Sequence, residues 1–259
     1  MEDSQVLSVR LEDLVVYLDS YLRIREEVAD APEALNGLQV ANAGEVTRLA
    51  VAVDLCAATV QMAADEHADC LLVHHGLFWG GLRPLTGPAY QRLAGLIKSD
   101  IALYSAHLPL DRHPDVGNNH VLARLLGIDV RGEFGSYHGA PIGVWGERKV
   151  AREDLARDLT KQLRIAPRVF PFGPTEARRI GIVTGSGGSL IPQAAAAGLD
   201  TYITGEGQHW TFFDAEELGM NVIYAGHYAT ETVGVRALSD HLRQKFGLPW
   251  TFLDHPTGL

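Results

Sequence analysis

The chain has 259 residues, 21% of them charged and 46% apolar, enough for one large α/β domain or two small ones with a full core. A formal charge of −10 argues against non-specific binding to nucleic acid or to an anionic membrane. Two cysteines, Cys56 and Cys70, both in apolar surroundings, read as buried thiols rather than a disulfide. With no signal-like N-terminus and no apolar run near the ~20 residues of a membrane span, the expected location is cytoplasmic.

Taken in chain order, Leu11–Leu22 has helical spacing, and Asn36-Gly37 marks a turn after Pro32. Arg48–Asp54 reads as a buried strand, Ala57–Ala68 as a helix and Cys70–Val73 as a second strand ending at His74-His75-Gly76. Pro88–Ser99 is helical, Ile101–Ser105 a third strand and Gly117–Leu126 a helix. The middle, 130 to 178, is less regular. It is read as a strand over Pro141–Trp145, a helix over Arg152–Leu163 and a connector over Pro167–Pro174. Alternation resumes with strand Arg179–Val183, helix Leu190–Ala197, strand Thr201–Thr204, helix Thr211–Leu218 and strand Val222–Ala225. A long helix, Thr230–Phe246, and a short strand, Pro249–Leu253, close the chain. Alternating strands and helices predict an α/β fold of mainly parallel sheets flanked by helices.

Two segments can be laid over each other without gaps. Tyr104 falls on Tyr224, His107 on His227 and Asp111 on Glu231, each by a shift of 120 (224 − 104, 227 − 107, 231 − 111). Further back the shift is 131: Leu49 matches Ile180, Asp69 matches Asp200, Val73 matches Thr204 and Gly76 matches Gly207. The reading is an internally duplicated chain with one lobe over 1–130, a second over 131–259, and a metal site in the cleft between them. His74-His75 in the first half becomes Gly205-Glu206 in the second.

Ligands of open parallel sheets bind beyond the carboxyl ends of strands. His74, His75, His107, Asp111, His227 and Glu231 all fall at or just after predicted strand ends. Adjacent strand residues point to opposite faces. His74 and His75 therefore share one centre only if the backbone bends at Gly76, or else each holds a different metal of a close pair. Imidazoles with two carboxylates exceed the needs of one tetrahedral zinc. Two divalent ions, half neutralised by Asp111 and Glu231, would favour a bridging hydroxide. Zinc, iron, manganese and nickel all accept such a set. His67, His113, His138, His241 and His255 read as packing or surface residues. Gly181–Gly188 lacks the lysine of a phosphate-binding loop and reads as a tight turn. Phe78 and Trp79 beside the histidine pair read equally as core packing or as a stacking surface for a substrate base.

The motifs Asn36-Gly-Leu-Gln-Val40, Val73-His-His-Gly-Leu-Phe-Trp-Gly80, His107-Leu-Pro-Leu-Asp111 with Gly117-Asn-Asn119, Thr204-Gly-Glu206 and Ala225-Gly-His-Tyr-Ala-Thr-Glu231 resemble the NIF-three-like dinuclear metal-centre proteins. These are also called GTP cyclohydrolase I type 2 homologues. The resemblance spans nearly the whole chain and is closest to the short bacterial members. It implies His75 and Asp111 on one metal, His74 and His227 on the other, Glu231 bridging them, and His107 as a catalytic or supporting residue. It also implies a ring-shaped homohexamer. The expected activity is metal-dependent hydrolysis of a nucleotide or related heterocycle. The alternative is a non-catalytic metal-binding or metal-trafficking assembly. Arg83 and Arg112 are the basic residues adjoining these ligands. His209, after Glu206, matches no family histidine.

Overall fold

The computed structural model describes residues 8–25 and 30–259. The chain forms two compact units. The first is made of Met1–Leu110 with Val235–His255, and the second of Asp111–Gly234 with Pro256–Leu259. The sequence pattern instead suggests a single boundary at residue 130.

In the first unit, β1 (Val9–Arg10) leads into α1 (Leu11–Tyr21), followed by β2 (Gly37–Val40), β3 (Glu45–Val46) and β4 (Leu49–Asp54). Next come α2 (Ala57–Asp65), β5 (Cys70–His75), α3 (Gly87–Lys98), β6 (Ala102–Ser105) and the short α4 (Leu108–Asp111). β4, β5 and β6 are parallel and adjacent in that order, and β2 lies antiparallel along β6. All six residues of β5 and the first five of β4 are buried, as expected of parallel strands covered on both faces. Val60, Leu71, Leu96 and Leu103 form part of that core. A Cβ on Gly95 would lie 2.7 Å from Val60 Cγ1, so glycine there sets how closely α3 approaches α2. Cys70 is buried and Cys56 only partly so, and both are free thiols. Burial pushes the Cys70 thiol up to about 12, aided by Asp69.

The second unit continues with α5 (Asn118–Leu125), β7 (Asp129–Tyr137), β8 (Ala140–Ala151), α6 (Arg152–Leu163), β9 (Arg168–Pro171) and β10 (Glu176–Val183). Then come α7 (Ile191–Ala196), β11 (Thr201–Thr204), α8 (Thr211–Glu217), β12 (Asn221–Tyr224) and α9 (His227–Phe246), whose residues from Val235 onward belong to the first unit. The chain ends with β13 (Trp250–Phe252), which lies parallel to β4 in the first unit's sheet. The second sheet runs β7-β8-β10-β11-β12-β9. Here two expectations fail. The irregular middle is a long hairpin, β7–β8, in place of one short strand, and the connector over Pro167–Pro174 contains β9. β7 is polar, carries Gly132 and Gly135, and buries only Phe134, so its strand state comes from pairing and not from its own pattern. His138 (φ 48°) and Gly139 (φ 85°) turn the hairpin with two successive left-handed residues, the form that matches strand twist. Pro171 is tolerated because β9 is an edge strand.

Each unit thus holds three parallel strands in chain order, edged by an antiparallel strand that precedes them. One local device recurs. The Asp69 carboxylate accepts the Thr47 and Arg48 N–H groups at 2.7 and 3.0 Å. Asp200 accepts those of Arg178 and Arg179 at 3.1 and 2.9 Å. This matches the 131 shift. The 120 shift, however, is one residue out of register. The Ala106 N–H donates to the Val73 carbonyl, and the Ala225 N–H to that of Thr204, a spacing of 119 (225 − 106). His107 therefore corresponds to Gly226, which has φ +81°, and His227 falls one position later, on α9. A one-residue slip sends a side chain in another direction.

Asp200→Ala removes the acceptor for two strand-entry N–H groups and should cost about 1–2 kcal/mol, read as a lower urea midpoint.

Candidate metal centre

In the first unit, His74 and His75 are the last two residues of β5, both buried. His74 Nδ1 donates to the Ala106 carbonyl at 2.9 Å. His75 Nδ1 donates to Oδ1 of Asp54 at 2.8 Å, and Asp54 lies opposite it at the end of β4. His107, just beyond β6, donates from Nδ1 to Oδ1 of Asp30 at 2.7 Å. Burial alone would raise the Asp30 carboxyl. Hydrogen bonds from His107, Asn36 and the Ala31 N–H outweigh it and hold the group below the usual range. With Nδ1 protonated and held in each ring, Nε2 is the nitrogen offered to a metal, the arrangement of ligating histidines. One ligand nitrogen from each of the three lies within 4.8 Å of the others. The donor set suits a divalent transition metal.

Of the two arrangements open to adjacent strand histidines, the structure brings their ligand nitrogens within 4.8 Å of each other. Their rings are 4.7 Å apart at 52°, and Gly76 serves a close approach. A Cβ there would sit 2.4 Å from Gln39 Oε1, which accepts the Leu77 N–H at 2.7 Å.

The second unit brings together another set. His227 opens α9 and Glu231 follows one turn later on the same face, with Nε2 and Oε2 3.2 Å apart. Glu206 Oε1 accepts a hydrogen bond from Nδ1 at 2.7 Å. Burial lowers the His227 pKa, but the hydrogen bonds and charges of Glu231 and Glu206 outweigh it and raise the ring to about 9. Asp111, buried at the end of α4, accepts from Asn118 Nδ2 at 2.8 Å and from Thr184 Oγ1 at 3.3 Å. Asn118 Oδ1 in turn accepts the Gly234 N–H of α9 at 2.7 Å, which couples Asp111 to the helix bearing His227 and Glu231.

The glycine-rich loop is the tight turn expected, and its amides are used internally. Those of Thr184, Gly185, Gly187 and Gly188 donate to Asn119, Thr230, Thr204 and Glu206. Gly185 has φ +67°, and a Cβ on it would lie 2.2 Å from Glu231 Oε1, so glycine makes room for the carboxylate.

Sequence reasoning misses Asp30, Asp54, Asn118 and Thr184, and leaves Glu206 without a role. Asp54 has a readable signal, closing an apolar strand beside the one carrying the histidines. Glu206 has another, standing 131 positions after His75. Asp30 sits in a loop with no pattern around it. His209 lies beside Phe213. Of the histidines read as ordinary, His113 accepts the Asp115 and Val116 N–H groups and His241 stacks on Tyr21.

The family model for Duf34/NIF3 (NGG1p interacting factor 3) matches residues 9–257. The chain belongs to the Duf34/NIF3 family. A Deinococcus radiodurans relative, called GTP cyclohydrolase 1 type 2 homolog, is 46% identical over 96% of this chain and 94% of that protein. Among solved structures, TTHA1606 of Thermus thermophilus superposes with a TM-score of 0.87 at 43% identity, covering 97% of this chain and all of that one. The protein ybgI, described as of unknown function, superposes at 0.89 with 38% identity and the same coverage. This NIF3 protein thus has a mixed α/β fold like its relatives, with buried His and Glu groups able to hold a metal ion. Among the described residues, no helix is long and apolar enough to cross a membrane.

Two outcomes are expected. Gly185→Ala should weaken metal affinity about 10- to 100-fold by displacing Glu231, measured by competition with a chelator. His227 is protonated at pH 7 in the metal-free protein, so metal uptake should release a proton in weakly buffered solution, and the release should vanish above pH about 9. The raised pKa also means that the paired imidazolium stabilises the apoprotein fully below about 6.5, with the gain lost as pH rises through about 9.

Proposed function

We propose that this NIF3 protein binds two divalent metal ions through His74, His75, Asp111, His227 and Glu231, and is a metal-dependent hydrolase of a nucleotide or related heterocycle. The observation carrying this reading is the set of three histidines whose Nδ1 atoms are all held by oxygen acceptors and whose ligand nitrogens lie within 4.8 Å. Complementary chemistry adds support: one donor set is imidazole alone, while the other brings the carboxylates that two dications need. The relatives' name, GTP cyclohydrolase 1 type 2 homolog, is consistent with hydrolysis at a heterocycle.

When bound, the metals supply Lewis acidity and a water that ionises near neutral pH. The protein's residues do the rest. Asp54, Glu206 and the Ala106 carbonyl orient His75, His227 and His74. Asn118 and Thr184 hold one oxygen of Asp111. His107 is assigned the proton transfer, because Asp30 fixes the proton on Nδ1 and leaves Nε2 to accept or donate.

Elemental analysis of protein purified without a chelating column should find two metals per chain in the wild type, and fewer in His75→Ala and Glu231→Ala. His107→Ala should keep its metal while turnover in a screen of nucleotides, phosphoesters and cyclic amides falls about 10²- to 10⁴-fold. Metal-loaded wild type that turns over nothing in the screen would favour the metal-holding alternative. Sedimentation tests the homohexamer that we also propose.

A further inference from the structure

The loop after β5 holds a large aromatic side chain at the histidine cluster without burying it. Trp79 is 42% exposed, yet its ring centroid lies 4.5 Å from that of His75 and 4.5 Å from that of His107. The exposure does not come from a loose loop. Leu77 before it is buried and held by Gln39, and Phe78 packs against the first unit's core. The Trp79 N–H donates to the Gly76 carbonyl at 3.3 Å, and that of Gly81 to the Phe78 carbonyl at 2.9 Å. Gly80 and Gly81 both have φ +89°, a backbone path that other residues adopt only with strain. The loop therefore buries Leu77, partly buries Phe78 and leaves the indole partly exposed.

A cation lies along the next residue of the same loop. A Cβ on Gly80 would lie 3.2 Å from a terminal nitrogen of Arg83, so the guanidinium runs along the residue next to the indole. Arg83 is exposed. Among the described residues the Trp79 side chain makes ring contacts only with the two imidazoles and forms no hydrogen bond.

We propose that Trp79 is the ring-recognition residue of the site, stacking a planar heteroaromatic ring against the histidine cluster, with Arg83 receiving an anionic group on the same molecule. The proposal rests on the hydrolase reading above and narrows its substrate to a flat aromatic ring that bears an anion. Stacking on an aromatic side chain tolerates any base, because every base has a π face. Trp79 therefore selects for planarity and leaves ring identity to other contacts.

The test uses metal-loaded full-length protein with GMP, guanosine and inorganic phosphate as probes, measured by equilibrium dialysis, and the metal content of every variant measured in parallel. Trp79→Leu keeps apolar bulk without a π face and should weaken GMP and guanosine alike by about 5- to 150-fold. Trp79→Phe should restore most of that loss. Arg83→Gln should weaken GMP and leave guanosine unchanged. Equal GMP binding by wild type and Trp79→Leu overturns the proposal, as does wild type that binds neither GMP nor guanosine. A simple cover over the metal ligands would show instead as metal loss in Trp79→Leu with guanosine affinity per loaded site intact, which also overturns it. Wild type without bound metal marks failure of the hydrolase reading itself, a result independent of the Trp79 comparison.

Discussion

An imidazole buried in a protein must find an acceptor for its N–H, and here that requirement organises the whole functional region. His74 uses the Ala106 carbonyl, His75 uses Asp54, His107 uses Asp30 and His227 uses Glu206. In every case the acceptor meets Nδ1, which leaves Nε2 as the nitrogen that could ligate a metal. The partners come from separate elements: a strand end, a loop ahead of β2 and the tip after β11. Elements that look unrelated in sequence are tied together by this one need.

The second consequence is electrostatic. His75 pairs with Asp54 and His107 with Asp30, whereas His227 stands between Glu206 and Glu231. Two anions on one ring overcome its burial and keep it cationic in the absence of metal. A divalent ion replacing that proton would meet a site already arranged around positive charge. Gly185 allows this arrangement, since any side chain at that position would occupy the space of the Glu231 carboxylate.

The two register shifts read from the sequence, 131 and 120, are informative where they succeed and where they slip. The 131 shift pairs residues with the same physical task, as Asp69 and Asp200 show by accepting the same two strand-entry amides. The 120 shift pairs His107 with His227 by residue type, yet the strand ladder makes Ala106 and Ala225 the counterparts. Identity of residue type across a repeat is weaker evidence than hydrogen-bond register, because one residue changes where a side chain points. This is why one histidine meets a loop aspartate and the other opens a helix.

Periodicity in the sequence was enough to find the parallel strands, most helices and the histidines at strand ends, because buried strands are continuous apolar runs and such sheets place chemistry beyond their ends. The motifs carried the family as well, over nearly the whole chain. β7, β9 and the longer extent of β8 were not legible, since these strands owe their state to partners far along the chain and carry polar or glycine-rich sequence. The acceptor Asp30 was equally hidden, because a hydrogen bond between residues 77 positions apart leaves no local pattern. Sequence by itself determined which residue types are available and near which strand ends they fall. Only tertiary structure decided which atom of each ring is held and which is offered, because that choice depends on a partner's position in space.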